Sequence, residues 1–202
     1  MNTFVITGPS GSGKSHLVYE LEPLGVYPLE VYTDRTRRPT EAENTDRVYL
    51  SKRQFSLDLE DFLYWFEFQG NRYGYKHSDI TKQRKLGNPI CFNIPPSHIP
   101  NILEKLPEAT AIYLKVEEKH FPMLERRMLQ RDVSSHDDDV RRSAKLAKIK
   151  KRLEYALEEM QDLDTHRDAM SCNTSSRIFD ISGDEVLYTE VIPHIKKLIQ
   201  KG

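Results

Sequence analysis

Short apolar runs alternate with amphipathic stretches along most of the chain. "TFVIT" is β-branched, unbroken and bounded by glycine, which predicts a buried strand; "GKSHLVYELEPL" then carries apolar residues at helical spacing until Pro23 stops it. Further strands are predicted at "LEVYT", "PICFNI", "AIYLKV" and "RIFDIS", with helices near residues 76–86, 99–106, 117–131, 139–163 and 184–200. Strands alternating with helices imply an α/β fold around a parallel sheet. The middle third departs from this rhythm: "RVYLS", "FLYWFEF" and "NRYGY" follow one another with no helix expected between them, as in a small antiparallel or mixed sheet inserted into the main fold.

At 202 residues this is one domain, and a formal net charge of −1 with acids and bases interspersed supplies no global field for nucleic acid or an acidic membrane. A basic site must therefore be local. Two cysteines, Cys91 and Cys172, are too few for a disulfide framework or a zinc pattern. No signal-like start and no apolar run of about 20 residues is present, so a cytoplasmic protein, monomer or homodimer, is expected. The histidines lack H-x-x-x-H spacing and G-x-S-x-G is absent, which disfavours zinc and serine-hydrolase chemistry.

Local chemistry appears first in "GPSGSGKS". It fits G-x-x-x-x-G-K-[ST] in full, between a predicted strand and a predicted helix. In that context Gly8, Ser10, Gly11, Ser12, Gly13, Lys14 and Ser15 form a phosphate loop: small residues let backbone N–H groups face one concavity at a helix start. Lys14 then reaches the β- and γ-phosphates of a nucleotide such as ATP, and the Ser15 hydroxyl can coordinate magnesium. The loop alone leaves open hydrolysis for motion, switching, or transfer to a small acceptor. An acceptor side follows in "YTDRTRRPTEAENTDRVYLS", where Arg35, Arg37 and Arg38 come directly after a strand with planar donors matched to phosphate.

In order along the chain, "GPSGSGKS", "YTDRTRRPTE", "YLS", "YWFEFQGNRYG", "LERRMLQR" and "IKKRLEYALEE" resemble the guanylate kinases, whose pattern runs GPSGxGKS, TTRxPRxGE, F-V-S, a tryptophan strand into G-N-x-Y-G, then L-x-x-R-L-x-x-R and a helix after a mobile lid. The resemblance spans nearly the whole chain and implies a P-loop kinase fold: a core of about 1–32, 76–130 and 153–202, an acceptor-binding subdomain of about 33–75 and a helical lid of about 131–152. It implies ATP and magnesium, a small phosphorylated acceptor with neither nucleic acid nor membrane as partner, and transfer assisted by Lys14, Arg127, Arg131 and Arg152. Two registers fit the arginine segment. One places Thr33, Arg35, Arg38 and Glu41 on the family's T, R, R and E; a two-residue shift matches Thr36, Arg37, Pro39 and Glu43. The first keeps both phosphate-holding arginines, with Tyr49 or Tyr73 adding a hydroxyl. The lid sequence looks longer than usual, so Arg141 or Arg142 could substitute for an anchor, and Asp137–Asp139 suit a first helical turn better than a metal site.

Three base-side positions depart from the family together. Its glutamate before the tryptophan is Tyr64, its D-I-D is Asn93-Ile94-Pro95, and the small hydroxyl residue after Y-G is Tyr75. Glu67 cannot replace the lost acid, because strand residues 64 and 67 face opposite ways. Guanine offers an N–H and an amine, so a pocket without these acids should lose guanine preference. The expected acceptor is another or modified nucleoside monophosphate, perched against Tyr64 or Tyr75. A ribose 1,5-bisphosphate kinase, whose family also carries asparagine here, and a non-catalytic binding module remain the alternatives.

Overall fold

In the computed structural model, which describes residues 2–37, 47–161, 163–171 and 173–201, the run Thr3–Thr7 is strand β1, buried along its whole length. It lies at the centre of a parallel sheet with β2 (Tyr27–Pro28), β7 (Ile90–Asn93), β8 (Thr110–Lys115) and β9 (Arg177–Asp180), in the order β2-β7-β1-β8-β9. Both faces are covered, as a parallel sheet requires. On β1, Phe4 and Ile6 join one core with Leu17, Leu21, Leu124 and Ile195, while Val5 joins another with Phe92, Ile102 and Tyr113. The first core sits under α1 (Lys14–Leu21), α5 (Phe121–Asp132), α6 (Asp139–Gln161) and α8 (Ile192–Lys201). The second is covered by α4 (Ile99–Lys105) and α7 (Leu163–Ser171), and it continues into a second sheet through Tyr64, Phe66 and Tyr75.

That second sheet is mixed. β3 (Val31–Thr33) runs parallel to β4 (Arg47–Tyr49) and antiparallel to β6 (Asn71–Lys76), which pairs antiparallel with β5 (Phe62–Phe68). Gln69 and Gly70 close the β5–β6 hairpin with φ of 53° and 74°, a two-residue turn whose left-handed backbone matches the strand twist. After β6, helix α3 (His77–Leu86) returns the chain to the parallel sheet.

Two expectations need correction. The middle third does hold a helix, α2 (Lys52–Leu57), between β4 and β5. Its start is set by a capping box, in which the Ser51 hydroxyl accepts from Gln54 N–H at 3.2 Å and Gln54 Oε1 accepts from Ser51 N–H at 2.9 Å. With one buried residue, Phe55, it carries no visible period. The helix expected over 184–200 begins as a π turn, Leu187–Val191, before α8. Pro193 offers no N–H to the carbonyl four residues back and its ring crowds it, which widens that turn.

Adjacent strands β5 and β6 of the mixed sheet leave little slack where Gly74 passes Phe62. A Cβ on Gly74 would stand 2.6 Å from Phe62 Cδ1, and the Phe62 ring stacks on Phe55 at 4.7 Å. Gly74→Ala is expected to destabilise the fold by about 1–3 kcal/mol through overpacking, read as a lowered Tm in thermal denaturation.

Candidate active site

The glycine loop joins β1 to α1 and its shape demands glycine. Gly8 has φ +141°, and a Cβ there would meet the Leu114 carbonyl oxygen at 2.4 Å; Gly13, at φ +102°, leads directly into α1. Lys14 Nζ donates to the carbonyls of Gly8 at 2.7 Å and Pro9 at 2.8 Å, spanning the loop from its far side. Burial lowers the Lys14 pKa to about 8; Glu159 works against this and Arg131 adds to it. Gly8, Ser10, Gly11, Gly13, Lys14 and Ser15 line a cleft of about 1380 Å³. Ser12 does not: it is buried, and its hydroxyl has no partner among the described residues.

Helix α6 forms one wall of the cleft. Arg141, Lys145, Lys148, Arg152, Tyr155 and Glu159 all line the cleft, at the 3.6-residue period of one helix face. Arg127 and Arg131 come from α5. Arg127 donates to the Gly11 carbonyl at 2.8 Å and pairs with Asp184. Arg131 and Arg152 converge on Asp132, and Arg152 also reaches Gln69 at the hairpin tip, at 3.4 Å. Of the two reserve arginines, Arg141 lines the cleft, paired with Asp138 at 3.4 Å, whereas Arg142 is exposed and is not part of the lining. The acidic run is structural: Asp137 pairs with Lys145 at 2.7 Å, Asp138 accepts from Arg141 N–H at 2.8 Å, and Asp139 opens α6.

On the acceptor side, Arg35, Thr36, Arg47, Tyr73, Tyr75 and Asn93 reach the cleft. The Thr33 hydroxyl sets the exit of β3, accepting from Arg35 N–H at 3.1 Å and donating to the Arg72 carbonyl at 2.8 Å. Arg35 donates to the Tyr49 hydroxyl at 3.3 Å, and Arg37 lies over the same ring, 5.7 Å from its centroid. Tyr49 thus supports Arg35 from outside the cleft lining, and Arg37 is likewise absent from that lining. Arg38 and both glutamates of the alternative registers, Glu41 and Glu43, lie outside the described residues. Tyr73 stacks on Phe66 at 5.6 Å, and both rings line the cleft.

The departures from the family pattern take a specific form. Tyr64 is packed in the second core and does not line the cleft; its hydroxyl bonds His98 Nδ1 at 2.9 Å, and Asn101 donates to it at 3.4 Å. Strand alternation works as expected here, with Tyr64 inward and Glu67 exposed. Tyr75 does reach the cleft, yet its hydroxyl donates to the Asn93 carbonyl at 2.6 Å and accepts from Asn93 N–H at 3.2 Å. Asn93 Oδ1 is buried without a partner among the described residues.

Residues with no motif to announce them are Arg47, Asp132, Lys145, Lys148 and Glu159. A signal existed for those on α6, since Glu159 lies seven positions after Arg152, on the same helix face. Among the described residues no His, Cys, Asp and Glu group could hold a metal by itself, and no helix is long and apolar enough to cross a membrane.

Glu159 carries a pH signature. Burial raises its pKa from 4.5 to about 7, against the pull of Lys14 and with Glu158 adding to the rise. The folded state therefore binds more protons than the unfolded one between those values, so stability falls as pH rises through this window. Glu159→Gln should remove that component: its Tm, followed against pH, gains on the wild type from about pH 5 to about pH 7.

The sequence profile of the guanylate kinase family, described as "Guanylate kinase", matches residues 1–171. A guanylate kinase of Prochlorococcus marinus (strain MIT 9313) is 34% identical over 148 residues, covering 70% of this chain and 76% of the relative. That of Rubrobacter xylanophilus is 27% identical over 190 residues, covering 91% and 90%. Among solved structures, guanylate kinase from Anaplasma phagocytophilum superposes with a TM-score of 0.67 at 14% identity, covering 100% of this chain and 87% of that one, a likeness of fold. The profile match over most of the chain, on top of a phosphate loop facing an arginine-lined wall, places the protein in the guanylate kinase family of P-loop phosphotransferases.

Proposed function

We propose that the protein transfers the γ-phosphoryl group of ATP to a nucleoside monophosphate other than plain GMP. The observation that carries this reading is that the phosphate loop, Arg127, Arg131 and Arg152 open onto the same cleft as Arg35, Arg47 and Tyr73. Two sets of cations on one cleft suit two phosphate groups brought end to end. The parallel sheet and its helices act as a core of about 1–32, 76–130 and 153–202, the mixed sheet at about 33–75 holds the acceptor, and the segment of about 131–152 closes as a lid.

The loop from Gly8 to Ser15 cradles the donor phosphates. Lys14 exchanges its loop carbonyls for β- and γ-phosphate oxygens. Magnesium is a general property of the family; exposed Ser15 on the cleft fits it, because this ion keeps several waters and takes its remaining ligands from phosphates. When bound it neutralises donor phosphate charge. Arg35, with Arg38 and the Tyr73 hydroxyl, holds the acceptor phosphate, one oxygen of which attacks the γ-phosphorus as the bond to the β–γ bridging oxygen breaks and ADP leaves. Arg127, Arg131 and Arg152 meet the charge that spreads over the transferred group. Lid closure excludes water and limits loss of ATP to hydrolysis. ATP as donor accords with a cytoplasmic site of action.

Beyond the acceptor phosphate the pocket offers aromatic and proline surface, with Asn93 in place of a carboxylate and Tyr75 tied to the backbone. Among the described residues, that aromatic and proline surface supplies no acid for the N–H and amine of guanine. The same closure of the base side favours a second reading, a ribose 1,5-bisphosphate kinase acting on a phosphosugar with no base. A binding module is disfavoured by the intact Gly13-Lys14-Ser15.

ADP formation from ATP and magnesium should be highest with an acceptor other than GMP in a panel of nucleoside and deoxynucleoside monophosphates plus ribose 1,5-bisphosphate. GMP turnover as efficient as that of a typical guanylate kinase would refute the altered specificity, and silence across the panel would favour the binding module. Lys14→Ala should lower kcat by at least ~10²–10³-fold with the fold intact by circular dichroism. In the wild type, kcat/KM for ATP should fall as pH rises through about 8, when Lys14 of the free enzyme loses its proton, while kcat holds to higher pH because bound phosphates raise that pKa.

A further inference from the structure

Asp132 is an acid in a place where helix physics disfavours one. It is the last residue of α5, where the partial negative charge of the helix end repels a carboxylate. It is also well covered, at 17% side-chain exposure, in a wall otherwise rich in cations. Its geometry shows what it holds. Arg131 Nε donates to Oδ1 at 2.8 Å and the Arg131 guanidinium to Oδ2 at 2.9 Å, a two-point fork from the neighbouring residue. Arg152, from α6, donates to the same Oδ2 at 2.6 Å and is itself only 13% exposed. One carboxylate oxygen thus joins two guanidinium groups from two helices and removes the repulsion that would part them.

From this we infer that Asp132 is the positioning residue of the transfer step, locking Arg131 and Arg152 into one cationic jaw on the cleft that Lys14 also lines. The inference rests on the phosphotransfer reading above, which gives those arginines their task. A planar donor fork must be aimed before the phosphoryl group moves, because misplacement by about 1 Å is costly in rate. The carboxylate has a second, opposite effect: its negative charge lowers the pull of the jaw on bound ATP. Removing it should therefore weaken the chemical step without weakening ATP binding, a pattern that loss of mere structural support does not give.

The test is steady-state kinetics of Asp132→Asn with saturating acceptor. The expected result is kcat lowered about tenfold or more with KM for ATP unchanged or lower. A double-mutant cycle with Arg152→Ala should show strong coupling: once Arg152 is gone, Asp132→Asn should cost much less than it does alone. Asp132→Glu, which keeps the charge on a longer arm, should recover part of the lost kcat and gives a reading should the asparagine variant fold poorly. The inference is overturned if Asp132→Asn keeps wild-type kcat, if it raises KM for ATP in proportion to the loss of rate, if its effect adds independently to that of Arg152→Ala, or if Asp132→Glu is no better than Asp132→Asn. Arg131→Ala and Arg152→Ala separate the two levels: full activity in both would overturn the role given to the arginines, whereas inactive arginine variants beside a fully active Asp132→Asn would overturn this inference alone.

Discussion

Positive charge concentrated around a space shaped for phosphate is the constraint that organises this molecule. Lysines and arginines from the loop, α5, α6 and the mixed sheet face one cleft, and without an anion present they repel one another. The fold answers with fixed internal acceptors. Lys14 is held by loop carbonyls, Arg127 by the Gly11 carbonyl and Asp184, Arg131 and Arg152 by Asp132, and Lys145 by Asp137. The carbonyl contacts of Lys14 and Arg127 are of a kind that phosphate oxygens can replace. The perturbed pKa values of Lys14 and Glu159 arise from burial, which disfavours the charge of each, while their mutual attraction opposes it.

Around this phosphate-handling centre the two cores have different tasks. The first, beneath α1, α5 and α8, holds the loop and the arginine-bearing helix against the parallel sheet. The second joins that sheet to the mixed one through Tyr64, Phe66 and Tyr75, so Tyr64 and Tyr75 serve packing between the sheets. Tyr64 and Tyr75 are satisfied by His98 and by the Asn93 backbone. Such buried, bonded hydroxyls are costly to pull away for a substrate. The groups that handle phosphate and the tyrosines packed between the two sheets are thus physically separate parts of this fold.

Much of this was legible in the sequence because the relevant signals are local. The loop declares itself by glycines that the backbone at Gly8 and Gly13 cannot do without, and the apolar runs of β1, β5, β7 and β8 mark buried strands directly. What escaped was either too short to show a period or depended on contacts distant in sequence. Helix α2 has a cap and one buried phenylalanine, and β2 has two residues. Asp132 gains its meaning from Arg152, twenty positions away on another helix, and Tyr64 reads as a stacking surface until packing turns it into the core. Glu159 was legible in principle, as the acidic last member of a helical face that is otherwise basic except for Tyr155.

The claim that base recognition has been lost while transfer persists is tested most directly by the ratio of kcat/KM for GMP over IMP, which differs from GMP by the single exocyclic amine. A pocket that bonds that amine discriminates by large factors, ~10⁴ or more in well-built cases, because a buried partner is left unpaired. The account predicts a ratio near one. A ratio of thousands would mean that guanine is still read, through residues outside those assigned to the acceptor side, and would contradict it.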